Sequence, residues 1–239
     1  MSIYLKEIAQ YFSSAVGYVV SIVFFVASGL FLWVIPSGEN IIYSGYASLS
    51  PLFSLAPWLY LFLVPAISMR LISDERSRGT MELLLIRPIS RLKIVLSKYF
   101  AGLTLVVITL FPTLIYVVII WHLGQPQGNF DVGSVVGSYI GLLLLAALYM
   151  AVGVYASSLT QSQIVAFVVA MVLCYLLYAG FDALTSLPSL QGYSTYISMF
   201  GIGEHYSSIS RGVLDSRDVV YFVSMTLFFV VLTSWRIRR

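Results

Sequence analysis

The sequence predicts an all-α integral membrane protein of six transmembrane helices, with an N-terminal interfacial helix and short outer re-entrant helices before the last span. Three observations carry this. The 239 residues are 59% hydrophobic and only 10% charged, whereas soluble domains carry about 25% charge. Mean hydropathy is +0.94, and the apolar residues fall in runs of roughly 20, the length that crosses a bilayer. Alternate connecting segments hold nearly all the basic residues, the mark of loops kept on the cytoplasmic side. After six such runs too little chain remains for a soluble core, so residues 1–239 read as a single transmembrane domain.

The first element is residues 3–14, IYLKEIAQYFSS, where Ile3, Leu5, Ile8, Ala9 and Phe12 recur with Lys6, Glu7 and Gln10 between them. That amphipathic spacing predicts a helix lying in the membrane interface. Residues 16–35 form span one. The run is longer than the apolar core of a secretory signal and no small-x-small cleavage site follows, so it reads as a span. A loop rich in Tyr, Ser and Gly opens with Pro36, Ser37 and Gly38. Span two is residues 52–72; Pro57 and Pro65 are tolerated in a membrane helix whose neighbours re-satisfy the backbone, and Arg70 near its end can snorkel to water.

Residues 73–91, SDERSRGTMELLLIRPISR, are the one long charged interval between apolar spans. Asp74, Glu75, Arg76, Arg78, Glu82, Arg87 and Arg91 are interrupted by Gly79 and Pro88. Thr80 is placed to cap a short helix over residues 81–86, Glu82 suits the positive end of that helix, and Pro88 stops it. Gly79 permits a sharp turn between the two halves. Glu75 and Arg76 offer charge-assisted contacts to a partner surface, and Met81, Leu84 and Leu85 offer an apolar ridge.

Span three, residues 94–120, contains Pro112 and exceeds what the bilayer needs, so it tilts or projects past the membrane around Lys93 and Lys98. Residues 121–131 are a polar turn punctuated by Gly and Pro. Span four, residues 133–158, opens with Gly133, Gly137 and Gly141, a small-xxx-small pattern that lets another helix approach closely. A tight turn at residues 159–163 leads to span five, residues 164–180. Cys174 lies there; as the sole cysteine it excludes an intrachain disulfide or thiolate cluster and reads as a small hydrophobe. The interval 181–218 is punctuated by Pro188, Gly192, Gly201, Gly203 and Gly212, yet Tyr193, Tyr196, Met199 and Phe200 would sit poorly in open water. It reads as short helices folded against or into the outer leaflet. Span six is residues 219–235, followed by Arg236, Ile237, Arg238 and Arg239.

Six crossings put both termini on one side, and charge selects the side. With cytoplasmic termini, eleven of the 13 basic residues are inside and only Arg211 and Arg217 outside, a strong positive-inside asymmetry. The acids Glu39, Asp131, Asp182, Glu204, Asp215 and Asp218 then fall outside.

The chemistry the sequence lacks narrows the function. It has no G-x-x-x-x-G-K-[ST] phosphate loop, and the Gly201–Gly203 stretch follows no strand. There is no H-E-x-x-H, and His122 and His205 fall in separate outer segments, where they read as solvated or interfacial. There is no G-x-S-x-G elbow. Ion-coupled carriers keep ionisable groups within their spans, and none sits at a span centre here; Arg70, Lys98 and Asp182 lie at ends. No catalytic residue, metal, cofactor or nucleic-acid site is assigned, so energy for any uphill work must enter from outside the chain.

The pattern Asp74-Glu75-Arg76-x-x-Gly79-Thr80-x-Glu82-x-Leu84-Leu85-x-x-Pro88-x-Ser90-Arg91 resembles the first cytoplasmic loop of ABC-2-type ABC transporter permeases. The stretches at 53–58, 111–116, 124–134, 162–167 and 209–219 narrow the resemblance to gliding-motility-type permease subunits (GldF), and it covers nearly the whole chain. The resemblance implies a subunit of the bacterial cytoplasmic (inner) membrane that hydrolyses no ATP itself. It implies two cytoplasmic ABC ATPase subunits per complex and a second membrane subunit, as homodimer or heterodimer, with a GldG-type protein as one candidate. It makes residues 73–91 a coupling helix that docks the ATPase through Asp74, Glu75, Arg76, Arg78, Gly79, Thr80, Met81, Glu82, Leu84, Leu85, Arg87, Pro88 and Arg91. The Ser, Thr and Tyr scattered through the spans point to amphipathic or bulky cargo. The competing class is a non-transport scaffold of a cell-envelope machine driven by a partner ATPase.

Overall fold

A computed structural model describes residues 3–38, 40–85, 89–186 and 188–237. Among these residues the regular structure is helical and no strand occurs. Helix α1 (Ile3–Phe12) precedes α2 (Ala15–Gly29), which runs on through a π-helical stretch at Leu30–Val34. A single turn, α3 (Ile41–Ser44), is capped by Asn40, whose side chain accepts from the Ile42 and Tyr43 amides. Then follow α4 (Ser50–Ser77), α5 (Thr80–Leu85), α6 (Arg91–Leu110) and α7 (Leu114–Leu123). Next come α8 (Val132–Leu159) and α9 (Gln163–Tyr175), the latter extended by a π-helical stretch at Leu176–Gly180 into α10 (Phe181–Thr185). The chain ends with α11 (Ser194–Ser198), α12 (Ile202–Ile209) and α13 (Ser216–Arg236).

Six of these helical stretches, among the described residues, are long and apolar enough to cross a membrane. The chain is an all-α integral membrane protein. Boundaries follow local chemistry. Asp131 starts α8 by accepting from the Ser134 amide, and Asp215 starts α13 by accepting from the Arg217 amide, the usual role of a short carboxylate at a helix start. Pro112 cannot donate a backbone N–H, and the third crossing accordingly passes from α6 to α7 through a 3-10 turn at Phe111–Thr113. The fifth crossing continues five residues past Gly180, to Thr185, because Gly180 is absorbed within the π turn.

Helices α4 and α8 form the centre of the bundle, with α6, α9 and α13 packed around them. A Cβ on Gly153 of α8 would overlap the Ser68 side chain of α4, so a glycine is what lets these two helices approach so closely. In contrast, α2 leaves Tyr18, Val19, Ile22, Val23 and Val26 exposed, a surface that costs nothing against lipid tails.

Contacts sort the connections into two ends. At one end Asp74 meets Gln163, and Glu7 of α1 meets Lys98. At the other the Tyr206 hydroxyl donates to the Phe53 carbonyl at 2.8 Å, and Gly124 packs beside Ala47. That is the grouping six crossings require.

A further boundary changes. Helix α4 runs on to Ser77, so residues 73–77 are the helix's own last turns rather than the start of a loop. Helix α1 forms as expected. Glu7 and Tyr11 are buried while Leu5 and Phe12 are exposed, because its protein side offers polar partners and its outer side faces lipid.

Candidate functional site

The charged interval begins inside α4, where consecutive residues point to different neighbours. Asp74 Oδ1 accepts from Gln163 Nε2 at 3.0 Å and from Arg78 Nε at 3.2 Å, and its Oδ2 lies 3.1 Å from Arg78 Nη2. One carboxylate thereby ties the last turn of α4 to the first residue of α9. Glu75 turns to the other side, with Oε2 3.0 Å from Lys98 Nζ.

Lys98 is the hub of this end of the bundle. It is 0% exposed, and its Nζ donates to Glu7 Oε1 at 2.6 Å and to the Leu71 carbonyl at 2.6 Å. Burying an ammonium is expensive unless it is paired and hydrogen-bonded, and here three acceptors surround it. They belong to α1 and α4, while Lys98 itself stands on α6, so one cation holds three helices. The Glu75 contact differs in kind from the other two: it is an ion pair without hydrogen-bond alignment.

A second stitch lies one turn earlier in α4. Ser157 Oγ of α8 accepts from the Ile72 amide at 3.1 Å and the Ser73 amide at 3.0 Å, and donates to the Met69 carbonyl at 2.9 Å. A neighbouring hydroxyl therefore shares the hydrogen-bond ladder of α4 where its apolar run stops.

Beyond Ser77 the backbone reverses at Gly79, with φ of +68°, a left-handed conformation that glycine adopts without a Cβ penalty. Space around that position is open. This reversal places Thr80 already within α5 rather than before it. Its hydroxyl donates back to the Glu75 carbonyl at 3.3 Å, so Thr80 does not serve as the cap expected from the sequence. Glu82 lies in the first turn of α5.

The expected docking residues thus divide. Asp74 and Met81 are buried and Glu75 is engaged by Lys98, so their side chains are spent within the chain. Arg76 is half-buried, and Arg78, Gly79, Thr80, Glu82 and Arg91 are exposed. Leu84 and Leu85 belong to α5, but their side chains, like Arg87 and Pro88 as whole residues, lie outside what is described. So do Glu39, Arg238 and Arg239 from the charge distribution.

Of the glycine stripe, Gly137 and Gly141 take a close neighbour. A Cβ on Gly137 would stand 2.6 Å from the Gly212 carbonyl oxygen, and one on Gly141 would overlap Ile209. The approaching partner is the end of α12. It is held there by hydrogen bonds from Ser134 Oγ to the Arg211 carbonyl at 2.9 Å and from Ser138 Oγ to the Ser210 carbonyl at 2.8 Å. Gly133 has only the Asp131 side chain beside it.

Glu7, Lys98 and Ser157 were not singled out from the sequence. One signal was available: Lys98 shares a helical face with Ile94, Ala101 and Leu105, so an ionisable residue stands on an otherwise apolar stripe. His205, read as solvated or interfacial, is half-buried and engaged through both ring nitrogens. Its Nδ1 lies 2.7 Å from Asp218 Oδ1 and its Nε2 2.9 Å from the Met199 carbonyl. Its ring stacks on Tyr221 at 4.0 Å between centroids. These contacts fasten α12 to the start of α13 at the end opposite the charged turn.

A six-crossing bundle with a charged turn projecting from a central helix fits the resemblance to permeases. The family model described as ABC-2 family transporter protein matches residues 1–237. The chain belongs to that family. No curated protein matches it. As an ABC-2 transporter protein it is the membrane-embedded, non-catalytic permease subunit of an ABC transporter, and membership implies association with ATPase subunits.

Proposed function

We propose that this ABC-2 permease couples ATP hydrolysis in a separate cytoplasmic ATPase to export or to conformational work in the membrane, and that residues 73–91 are the docking element. The observation that carries the reading is the continuity of α4. One helix runs from the centre of the bundle to an exposed turn at Arg78, Gly79 and Thr80, with its last turns pinned by Asp74–Gln163, Glu75–Lys98 and Ser157. Displacement of an exposed turn on a pinned helix moves the helix, whereas a flexible loop would absorb it.

In this reading Arg78, Thr80, Glu82 and Arg91 supply the accessible contacts, with Arg76 at their margin. Asp74, Glu75 and Met81 hold the turn in shape. The termini are cytoplasmic, the membrane is a bacterial inner membrane, and two ATPase subunits and a second membrane subunit complete the assembly. The stretches resembling GldF favour a gliding-motility-type complex, with a GldG-type protein as second membrane subunit.

The deciding experiment purifies the chain from its native membrane and assays the preparation for ATPase subunits and ATP hydrolysis. The wild type should retain a hydrolysing partner; R78E and E82K should remain membrane-inserted and lose it. A wild type without an ATPase, or variants that keep theirs, would overturn the proposal. Faster hydrolysis with an added amphipathic cargo separates transport from a scaffold role.

A further inference from the structure

We infer that Lys98 is a shared cation for which Glu7 and Glu75 compete, so that movement of the charged turn reaches α1 by exchange of the ammonium's carboxylate partner. The link from an outside force to that movement rests on the docking reading; the exchange itself does not.

The geometry is asymmetric in a way a static clasp is not. Glu7 Oε1 and the Leu71 carbonyl each receive an aligned hydrogen bond at 2.6 Å. Glu75 Oε2, at 3.0 Å, has the charge contact without hydrogen-bond geometry. Charge-assisted hydrogen bonds are roughly twice as strong as neutral ones, so Glu75 gains if the ammonium rotates toward it. Glu75 lies four residues before Gly79, within the last turns of α4, so any shift of the turn changes its distance from Lys98.

Glu7 has a second cation nearby. Arg70, half-buried, lines the same small crevice as Glu7, Tyr11 and Leu71. Two carboxylates and two cations therefore make a balanced set, with Lys98 central and Arg70 in reserve for Glu7. In the exchanged arrangement Arg70 is the cation left beside Glu7, and a nearby opposite charge is what a carboxylate in a poorly solvated site requires. Helix α1 stays attached in either state through the Tyr4 hydroxyl on Thr104 Oγ1, at 3.0 Å, and the Tyr11 hydroxyl on the Ile67 carbonyl. What changes is the hold on its middle turn. Such a two-state element is what coupling between sites requires.

Hydrogen–deuterium exchange on the full chain in lipid nanodiscs tests this without any partner. Glu7→Gln should make α1 amides exchange about tenfold faster, the consequence of losing one charge-assisted hydrogen bond. It should also slow exchange at residues 77–81, because Lys98 turns fully to Glu75. Glu75→Gln should do the reverse. Lys98→Met should loosen both regions, and Lys98→Arg should retain the wild-type protection of each. Each glutamine variant leaves Lys98 one carboxylate, so both keep a paired buried charge. If Glu7→Gln leaves residues 77–81 unchanged or faster, Lys98 is a fixed clasp and the inference fails. Failure of the docking reading is seen separately, as a wild type with no ATPase partner, and leaves the exchange pattern to decide this point alone.

Discussion

Ser157 and Ser73 are joined by a hydrogen bond from the Ser73 amide to Ser157 Oγ, 3.0 Å long, although 84 residues separate them. The same oxygen serves the Ile72 amide and donates to Met69, so one hydroxyl satisfies two backbone donors and one acceptor. At the point where α4 leaves the apolar bundle, α8 therefore holds it by its backbone rather than by side-chain packing alone. The hold is independent of what side chains α4 carries there.

Replacing Ser157 with alanine removes that oxygen and leaves two buried amides dependent on helical geometry alone. The expected cost is about 1–3 kcal/mol, read as a lowered unfolding midpoint of the detergent-solubilised chain. Ser157→Thr retains the hydroxyl and should keep more of the stability. Equal loss in both variants would mean that volume, not the hydrogen bond, is what matters.

Gly79 separates conformational demand from space. Nothing lies near a Cβ at this position, so the whole cost of substitution is the left-handed backbone at φ +68°. Asparagine tolerates that region and valine does not. Gly79→Asn should retain the partner ATPase, and Gly79→Val should lose coupling between hydrolysis and transport while staying in the membrane. Both are checked by co-purification and ATP hydrolysis. Normal coupling in the valine variant would show that the turn's shape is irrelevant.

The glycine stripe gives an internal control. Gly137→Ala drives a methyl to within 2.6 Å of the Gly212 carbonyl oxygen, and overpacking of this kind costs about 1–3 kcal/mol. Gly133→Ala meets only the Asp131 side chain, at 3.3 Å, and should cost clearly less. With Gly137→Ala, trypsin should cut faster at the exposed Arg211, because the end of α12 is pushed off α8.

Topology is open to cysteine labelling, since Cys174 is fully buried and contributes little background. Thr80→Cys and Gln127→Cys occupy exposed positions at opposite ends of the bundle. An impermeant maleimide applied to intact cells should label Gln127→Cys alone, and Thr80→Cys only after permeabilisation. The reverse pattern would invert the orientation drawn from the basic residues.

The helices of the bundle were legible because a bilayer demands runs of roughly 20 apolar residues, and the sequence has six. The turn at Gly79 was legible because few residues other than glycine reverse a chain so sharply. The direction of each side chain was not. Thr80 was read as a cap, yet the reversal places it inside α5. Glu7 was read among the polar residues between the apolar positions of an interfacial helix, yet it is buried. In both cases the local pattern is compatible with two orientations, and only a neighbouring element chooses between them.

The sequence by itself determined that this is a six-crossing membrane protein with one charged turn, since hydropathy and glycine chemistry act over a few residues. Tertiary structure alone decided which charges of that turn are available. Asp74 is taken by Gln163, 89 residues away, and Glu75 by Lys98, which also binds Glu7 across 91 residues. A buried charge must find a partner wherever the fold brings one close, and that search runs across the bundle, not along the chain.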